Sequence, residues 1–328
     1  MKKILAALAG GVMVTASCGS TTTTSSEASE GPTIVVSTNI LGDVVERVVG
    51  DAATVITIMP VGADPHDFQP SAQQIAQMND ADALIINGGG FEEGLVDIVE
   101  AAEADGLVVF EALGAVDTLE FAGHSDHDDE DHSDDDEDHD DEDHSDDEHA
   151  DGDPHFFTDP QRMTVAVTAI SEFLVSEVAG IDTEVTQAAT DDYLTALADL
   201  DDEIAETLST IAAADRVLVT NHDVLTYFAD RYDFEIIGTV IPGGTTVDST
   251  NAEALAELAE IIEAEGIPAV FSDTSSSDEL AQTLALEAGA IEVVELYSES
   301  LGAADSDGST YLDMMRANAE RIAQALTR

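Results

Sequence analysis

Residues 183–211 read TEVTQAATDDYLTALADLDDEIAETLSTI, a stretch without glycine or proline. Apolar side chains recur along it every three or four residues, which is the period of one face of an α-helix. These side chains are Tyr193, Leu197, Leu200, Ile204, Leu208 and Ile211. At about 1.5 Å per residue the helix would be about 44 Å long, more than one small domain needs. We predict a linker helix over residues 183–212 that braces two lobes and limits hinge motion; the alternative is a long surface helix of one domain.

Short β-branched runs alternate with helix-like segments on both sides of this stretch. The predicted strands are residues 33–37, 54–59, 83–87 and 107–110 before it, and 216–220, 235–240, 269–272 and 292–296 after it. The predicted helices are residues 40–49, 71–78, 95–104, 224–232, 252–265, 278–288 and 314–326. Such alternation indicates βα units and parallel sheets. The predicted fold class is α/β, with two Rossmann-like lobes, residues 33–182 and 213–328, joined by one long rigid helix.

The first 18 residues have the pattern of a targeting segment. Two lysines precede the apolar stretch 4–14, which is too short to span a bilayer, and small residues then lead to Cys18, the only cysteine. This resembles a bacterial lipoprotein signal, in which the cysteine is acylated. We expect Cys18 to anchor the protein to the cell membrane on its extracytoplasmic side, with residues 19–32 as a Ser/Thr-rich flexible tether. An ordinary secretory signal with an incidental cysteine is the alternative.

The formal net charge of −62 argues against nucleic-acid binding, because phosphate contacts need a basic face and the chain has only nine Lys and Arg. Residues 124–153 concentrate 19 of the 71 acidic residues and contain no apolar residue between Ser125 and Glu148. We predict a disordered, solvated loop there. Its six histidines are His124, His127, His132, His139, His144 and His149. Histidine interleaved with carboxylates indicates an auxiliary metal-gathering or metal-sensing loop; the alternative is a polyanionic spacer.

Only three of the nine histidines lie outside that run, and each falls in a predicted loop. His66 and His155 both follow Asp-Pro, and His222 follows the predicted strand 216–220. Neutral imidazole is the commonest protein ligand for zinc, and open parallel sheets bind ligands at the carboxyl ends of their strands. We therefore predict a metal site between the two lobes that uses these three histidines. A tetrahedral zinc site needs a fourth donor, and composition leaves that choice open among many carboxylates.

Four motifs connect these histidines to a known family. They are PVGADPHDFQPS at 60–71, NGGGFE at 87–92, DPHF at 153–156 and HDVLTYF at 222–228. Together they resemble the cluster A-I (cluster 9) metal-binding lipoproteins, the substrate-binding components of zinc or manganese ABC importers, over residues 33–328. The resemblance implies metal buried in a cleft between two α/β lobes, with His66 and His155 from the first lobe and His222 from the second. The acidic His-rich loop resembles the zinc-specific members in particular.

The resemblance also implies a carboxylate ligand in a late segment, which here reads YSESL at 297–301, so the role falls to Glu299 where the family usually has Asp. Asp273, Asp278 or a water molecule are the alternatives.

Three imidazoles favour zinc over manganese, which prefers oxygen donors, although copper or nickel would bind such a site in vitro. The expected function is capture of Zn²⁺ and its delivery to a membrane permease by a monomer; a manganese-binding protein of the same family is the alternative.

Two other classes of protein share part of this pattern. A zinc hydrolase also uses three protein ligands with water in the fourth position, but the chain contains no His-Glu-x-x-His, and we expect no enzyme. A surface adhesin or a passive metal buffer would share the lipid anchor and the histidine-rich run without needing a permease.

Overall fold

The computed structural model describes residues 31–121, 152–241, 243–247 and 250–327. The predicted signal segment with Cys18, most of the tether and the six histidines between 124 and 149 lie outside these ranges. Of the predicted acidic loop, only Gly152 and Asp153 are described, and Asp153 is fully buried. No helix among the described residues combines the length and the apolar character that crossing a membrane requires.

The first lobe is built on one parallel sheet. Its strands are β1 (Thr33–Val36), β2 (Thr54–Thr57), β3 (Ala83–Ile86) and β4 (Val109–Glu111), and the sheet order is β2-β1-β3-β4. The crossovers between these parallel strands contain helices α1 (Asn39–Val49), α2 (Ala72–Asn79) and α3 (Val96–Ala104). The central strands β1 and β3 are almost completely buried, as expected where helices cover both faces of a parallel sheet.

Two long helices follow, α4 (Pro160–Glu177) and α5 (Thr183–Leu208). The helix α5 begins at the predicted residue, where the Asp182 carboxylate accepts the N–H groups of Glu184 and Val185. It ends three residues before the last apolar position of the pattern, yet Ile211 remains buried in the turn that follows. The helix α4 has no counterpart among the predicted elements, because its first half, PQRMTVAVT, is rich in β-branched residues that favour strands as much as helices.

The second lobe repeats the topology of the first. Its strands are β5 (Val217–Thr220), β6 (Glu235–Thr239), β7 (Ala269–Asp273) and β8 (Glu292–Leu296), in the order β6-β5-β7-β8, again all parallel. Its helices are α6 (Thr226–Tyr232), α7 (Ala252–Glu265), α8 (Glu279–Glu287) and α9 (Tyr311–Leu326). The prediction of an α/β fold with two lobes, each with a parallel sheet, is confirmed.

One apolar core runs through both lobes. The helix α5 packs on α1, α4 and α9, and its apolar face is buried within this core. The same cluster includes residues of both sheets, such as Ile34 and Val36 in the first and Leu218 and Phe271 in the second. Two smaller cores, one for each lobe, cover the other faces of the sheets. Because α5 belongs to a core shared by both lobes, it fixes their relative position.

We predict that Leu197→Ala, in the fully buried face of α5, lowers the free energy of unfolding by about 2–5 kcal/mol, because it leaves a cavity in the shared core. The matched control Val185→Ala changes a side chain on the same helix that is 39% exposed, and should cost no more than about 0.5 kcal/mol. Urea denaturation followed by circular dichroism measures both. Two separate transitions, or equal losses in the two variants, would contradict a core shared by both lobes.

Candidate metal centre

The four predicted ligands lie on loops that meet between the two sheets. His66 follows β2, His222 follows β5 and Glu299 follows β8, so three of the four come from the carboxyl ends of strands. His155 directly precedes the short 3-10 turn, residues Phe156–Thr158, that leads into α4. The structure therefore combines two residues of the first lobe with two of the second.

The side chains form one tight cluster. One donor atom from each of His66, His155, His222 and Glu299 lies within 4.8 Å of the other three. Glu299 Oε1 is 2.8 Å from His66 Nε2, 3.0 Å from His222 Nε2 and 3.4 Å from His155 Nε2. All four residues are buried, and His66 is the most exposed at 4%. Three imidazole nitrogens and one carboxylate are the donor types and the number that a tetrahedral zinc site uses.

Four buried atoms of these side chains have no hydrogen-bond partner among the described residues: His66 Nδ1, His222 Nδ1, His155 Nε2 and Glu299 Oε2. A buried polar atom without a partner costs free energy, and most such atoms in proteins are satisfied. A divalent cation between the imidazoles and the carboxylate would satisfy His155 Nε2 and Glu299 Oε2, so the residues present fit a metal ion.

The alternative carboxylates lie elsewhere. Asp273 accepts hydrogen bonds from the backbone N–H groups of Ser275 and Ser298, and Asp278 accepts one from the side chain of Gln282 at the start of α8. Neither belongs to the cluster that the structure forms among its described residues. Of the carboxylates considered from the sequence, Glu299 is the one beside the imidazoles.

The repeated Asp-Pro-His motif has a structural cause. In the first copy Asp64 Oδ1 accepts the backbone N–H of His66 at 3.0 Å, and in the second Asp153 Oδ1 accepts that of His155 at 2.9 Å. Each aspartate thus closes a local turn around the intervening proline, a conformation that Asp side chains favour. The same three residues therefore place a histidine in the same way in both loops.

Asp153 also orients the ring of His155. His155 Nδ1 donates to Asp153 Oδ1 at 2.7 Å, and both residues are fully buried. With Nδ1 held by the carboxylate, Nε2 is directed at Glu299, which is how outer carboxylates orient metal-binding histidines. Sequence reasoning assigned no role to Asp153, although its place in the repeated motif was a usable signal.

Phe91 covers one side of the site. Its ring meets His66 at 5.2 Å and His155 at 5.3 Å between centroids, in both cases edge to face, and it is 1% exposed. The preceding Gly88–Gly90 all have φ between +64° and +90°, which lets the chain turn back and place Phe91 here. The apolar ring excludes water from the imidazoles and so strengthens their interactions with charge.

The cluster sustains a buried negative charge. Burial by itself would raise the pKa of Glu299, but the charge of His222 and the close approach of the three imidazoles hold that pKa well below its ordinary value. Burial lowers the pKa of His155, but the charge and hydrogen bond of Asp153, with help from Glu299, outweigh it and raise that pKa to about 9. In the metal-free protein His155 is therefore protonated at neutral pH, and a metal must displace its proton to bind.

We predict that the metal-free protein loses stability as the pH rises through the pKa of His155. A folded pKa of about 9 against an ordinary 6.5 contributes stability that is complete below pH 6.5 and lost above 9. The expected loss is about 3 kcal/mol. Urea unfolding of metal-stripped protein at several pH values measures it, with His155→Gln as the control that should lack this decline. An equal decline in both proteins would contradict the assignment to His155.

Residues 34–325 match the family described as ZnuA, zinc-uptake complex component A, periplasmic. Similar proteins include the manganese-binding lipoprotein MntA of Halalkalibacterium halodurans, 27% identical over 96% of this chain and 95% of that protein. The zinc-binding protein TroA of Treponema pallidum is 26% identical over 92% of this chain and 91% of that protein. A solved structure of periplasmic zinc-binding TroA from Treponema pallidum has a TM-score of 0.77 at 24% identity, covering 91% of this chain and all of that one. At that identity the structural likeness shows the fold alone.

Proposed function

Because the chain belongs to the family of periplasmic zinc-uptake complex component A proteins, we propose that it captures Zn²⁺ outside the cytoplasm and delivers it to the permease of an ABC importer. In more general terms, the chain is the component of an ABC transporter that binds the substrate, and this substrate is a metal ion. Such a component implies a membrane permease as its partner. The observation that carries the proposal is the buried cluster of three imidazoles and one carboxylate.

The donor set supports zinc over manganese. The relatives include both manganese-binding and zinc-binding proteins, so membership of the family leaves the metal open. Imidazole nitrogens suit zinc, whereas manganese prefers carboxylate, carbonyl and water oxygens. Three nitrogens against one carboxylate in this cluster therefore favour Zn²⁺ as the cargo, with Mn²⁺ as the alternative.

In this proposal the four side chains hold the metal and carry out no chemistry on it. His66, His155 and His222 would each donate through Nε2, and Glu299 would close the coordination shell through its carboxylate. A shell completed by protein ligands leaves no position for a reactive water, which favours binding over hydrolysis. The permease would take the metal by disturbing the loops that bring the two lobes' ligands together.

The proposal also includes a lipid anchor in the membrane and a role for the histidines of the acidic run. Several relatives are named lipoproteins, which supports acylation at Cys18 after removal of the residues that precede it, and an extracytoplasmic, membrane-anchored location. The proposed domain bounds follow the sequence: a tether at 19–32, lobes at 33–182 and 213–328, and a linker helix at 183–212. The histidines of the acidic run would serve as auxiliary metal contacts, and the protein would act as a monomer.

We predict one tight, nearly stoichiometric Zn²⁺ site when residues 124–151 are replaced by a short linker in metal-stripped protein beginning at residue 19. Asp153 is retained because it holds His155. Glu299→Gln in that background should weaken zinc binding by about a hundredfold, since four ligands share an apparent 10–16 kcal/mol in structural zinc sites. Asp278→Asn, a carboxylate outside the cluster, is the matched control and should bind as before. Calorimetric titration measures zinc binding by the protein with the linker and by its two substituted forms. Absence of a tight site would indicate that the acidic run binds the metal instead.

We predict that His222→Asp shifts the preference between Zn²⁺ and Mn²⁺ toward manganese by about ten- to a hundredfold, because it replaces a nitrogen donor with an oxygen donor. His222→Gln is the control, since it removes the imidazole without adding a carboxylate and should weaken both metals. Competition of the two metals for one chelator measures the ratio of affinities. An unchanged ratio in the Asp variant would contradict donor type as the basis of selectivity.

A further inference from the structure

His155 belongs to the first lobe, but side chains of the second lobe hold the chain on both sides of it. The hydroxyl of Tyr227, in α6, donates to the carbonyl oxygen of Asp153 at 2.6 Å. The hydroxyl of Tyr311, in α9, donates to the carbonyl oxygen of Phe157 at 2.8 Å. Both tyrosines are fully buried. The segment that presents His155 is therefore anchored to the opposite lobe two residues before and two residues after the imidazole.

The Tyr227 hydroxyl forms a junction of hydrogen bonds that joins three segments of the chain, at Leu119, Asp153 and Tyr227. Besides donating to Asp153, it accepts the backbone N–H of Leu119 at 3.1 Å, and Asp153 N–H donates to the Leu119 carbonyl at 2.7 Å. The Arg162 guanidinium lies 4.7 Å from the centroid of the tyrosine ring, which helps to fix that ring in place. Both the donor and the acceptor capacity of this hydroxyl are thus used at the base of the His155 segment.

This junction fixes the position of His155 in the metal cluster. The carboxylate of Asp153 accepts both the backbone N–H and the ring Nδ1–H of His155. Any shift of the Asp153 backbone would therefore turn or displace the imidazole, and binding sites tolerate only about 0.5 Å of such displacement. One hydroxyl from the second lobe consequently controls a ligand of the first lobe through a single intervening residue.

We propose that Tyr227 is a positioning residue for metal binding: through Asp153 it sets the orientation of His155 and ties that ligand to the second lobe. The proposal rests on the metal-capture function put forward above. The second lobe then positions three of the four ligands: it contains His222 and Glu299, and through Tyr227 it holds His155. Tyr311 supports the same segment from its far end.

The same helix offers a matched control. Tyr232 is also buried in α6, and its hydroxyl donates to Asp201 Oδ1 in α5 at 2.9 Å, in an unrelated hydrogen bond. Tyr227→Phe and Tyr232→Phe each remove one buried hydroxyl and keep the ring. A purely structural role for Tyr227 would make the two variants alike, whereas a positioning role would affect the metal site only in Tyr227→Phe.

The experiment uses the metal-stripped protein from residue 19 onward with all its loops, and measures Zn²⁺ affinity by chelator competition and site geometry from the visible absorption of bound Co²⁺. Tyr227→Phe should bind zinc at least about tenfold more weakly and alter the Co²⁺ spectrum, as loss of an outer partner of a metal ligand does. Tyr232→Phe should keep the affinity and spectrum of the unsubstituted protein. Asp153→Asn should also weaken binding, and its loss should not add to that of Tyr227→Phe, because both act on His155 by one route.

Unchanged affinity and spectrum in Tyr227→Phe, equal losses in Tyr227→Phe and Tyr232→Phe, or fully additive losses with Asp153→Asn would each overturn the inference. Those outcomes leave the proposed function intact, because the unsubstituted protein would still bind zinc tightly. Only weak zinc binding by the unsubstituted protein through this cluster would overturn the proposed function, and the inference with it.

Discussion

A carboxylate buried beside three imidazoles is the constraint around which the rest of the site is arranged. An isolated charge away from water is costly unless partners compensate it. Glu299 is 1% exposed and finds its partners on three different loops, two of them in the other lobe. The charge is therefore compensated only when the two lobes are together, so the electrostatics of one side chain and the arrangement of the whole molecule depend on each other.

The fold provides that arrangement through two sheets of the same order. In both lobes the chain passes from the first strand to one edge and then back across it, and the ligand-bearing loops leave from carboxyl ends of strands. Cross-lobe hydrogen bonds add to the shared core: the Asn39 side chain, after β1, donates to Ser300 Oγ at 3.0 Å and accepts the Leu301 N–H at 2.7 Å. Glu299 is thus held next to a residue of the first lobe, just as His155 is held by tyrosines of the second.

Much of this architecture can be predicted from the sequence, and what cannot has a physical reason. The period of α5 and the alternation of strands with helices predict the α/β fold, whereas α4 is missed because its β-branched residues carry no clear helical preference. The three histidines stand out because the remaining six fall in one acidic run. Glu299 came only from the family resemblance, since an acidic chain offers many carboxylates. Asp153 and Tyr227 escaped notice because their roles depend on hydrogen bonds between distant segments, which no local pattern encodes.

The order of the segments along the chain determines when the metal site can assemble. Glu299 comes 77 residues after His222, and α9, which packs on α5, follows Glu299. While the chain is being synthesised, the three histidines therefore exist for a time without the carboxylate that joins them, and α5 without one of the helices that cover its apolar face. The buried four-residue cluster can form only once the chain has been made through α9, so a shorter nascent chain offers separate metal contacts and no closed site.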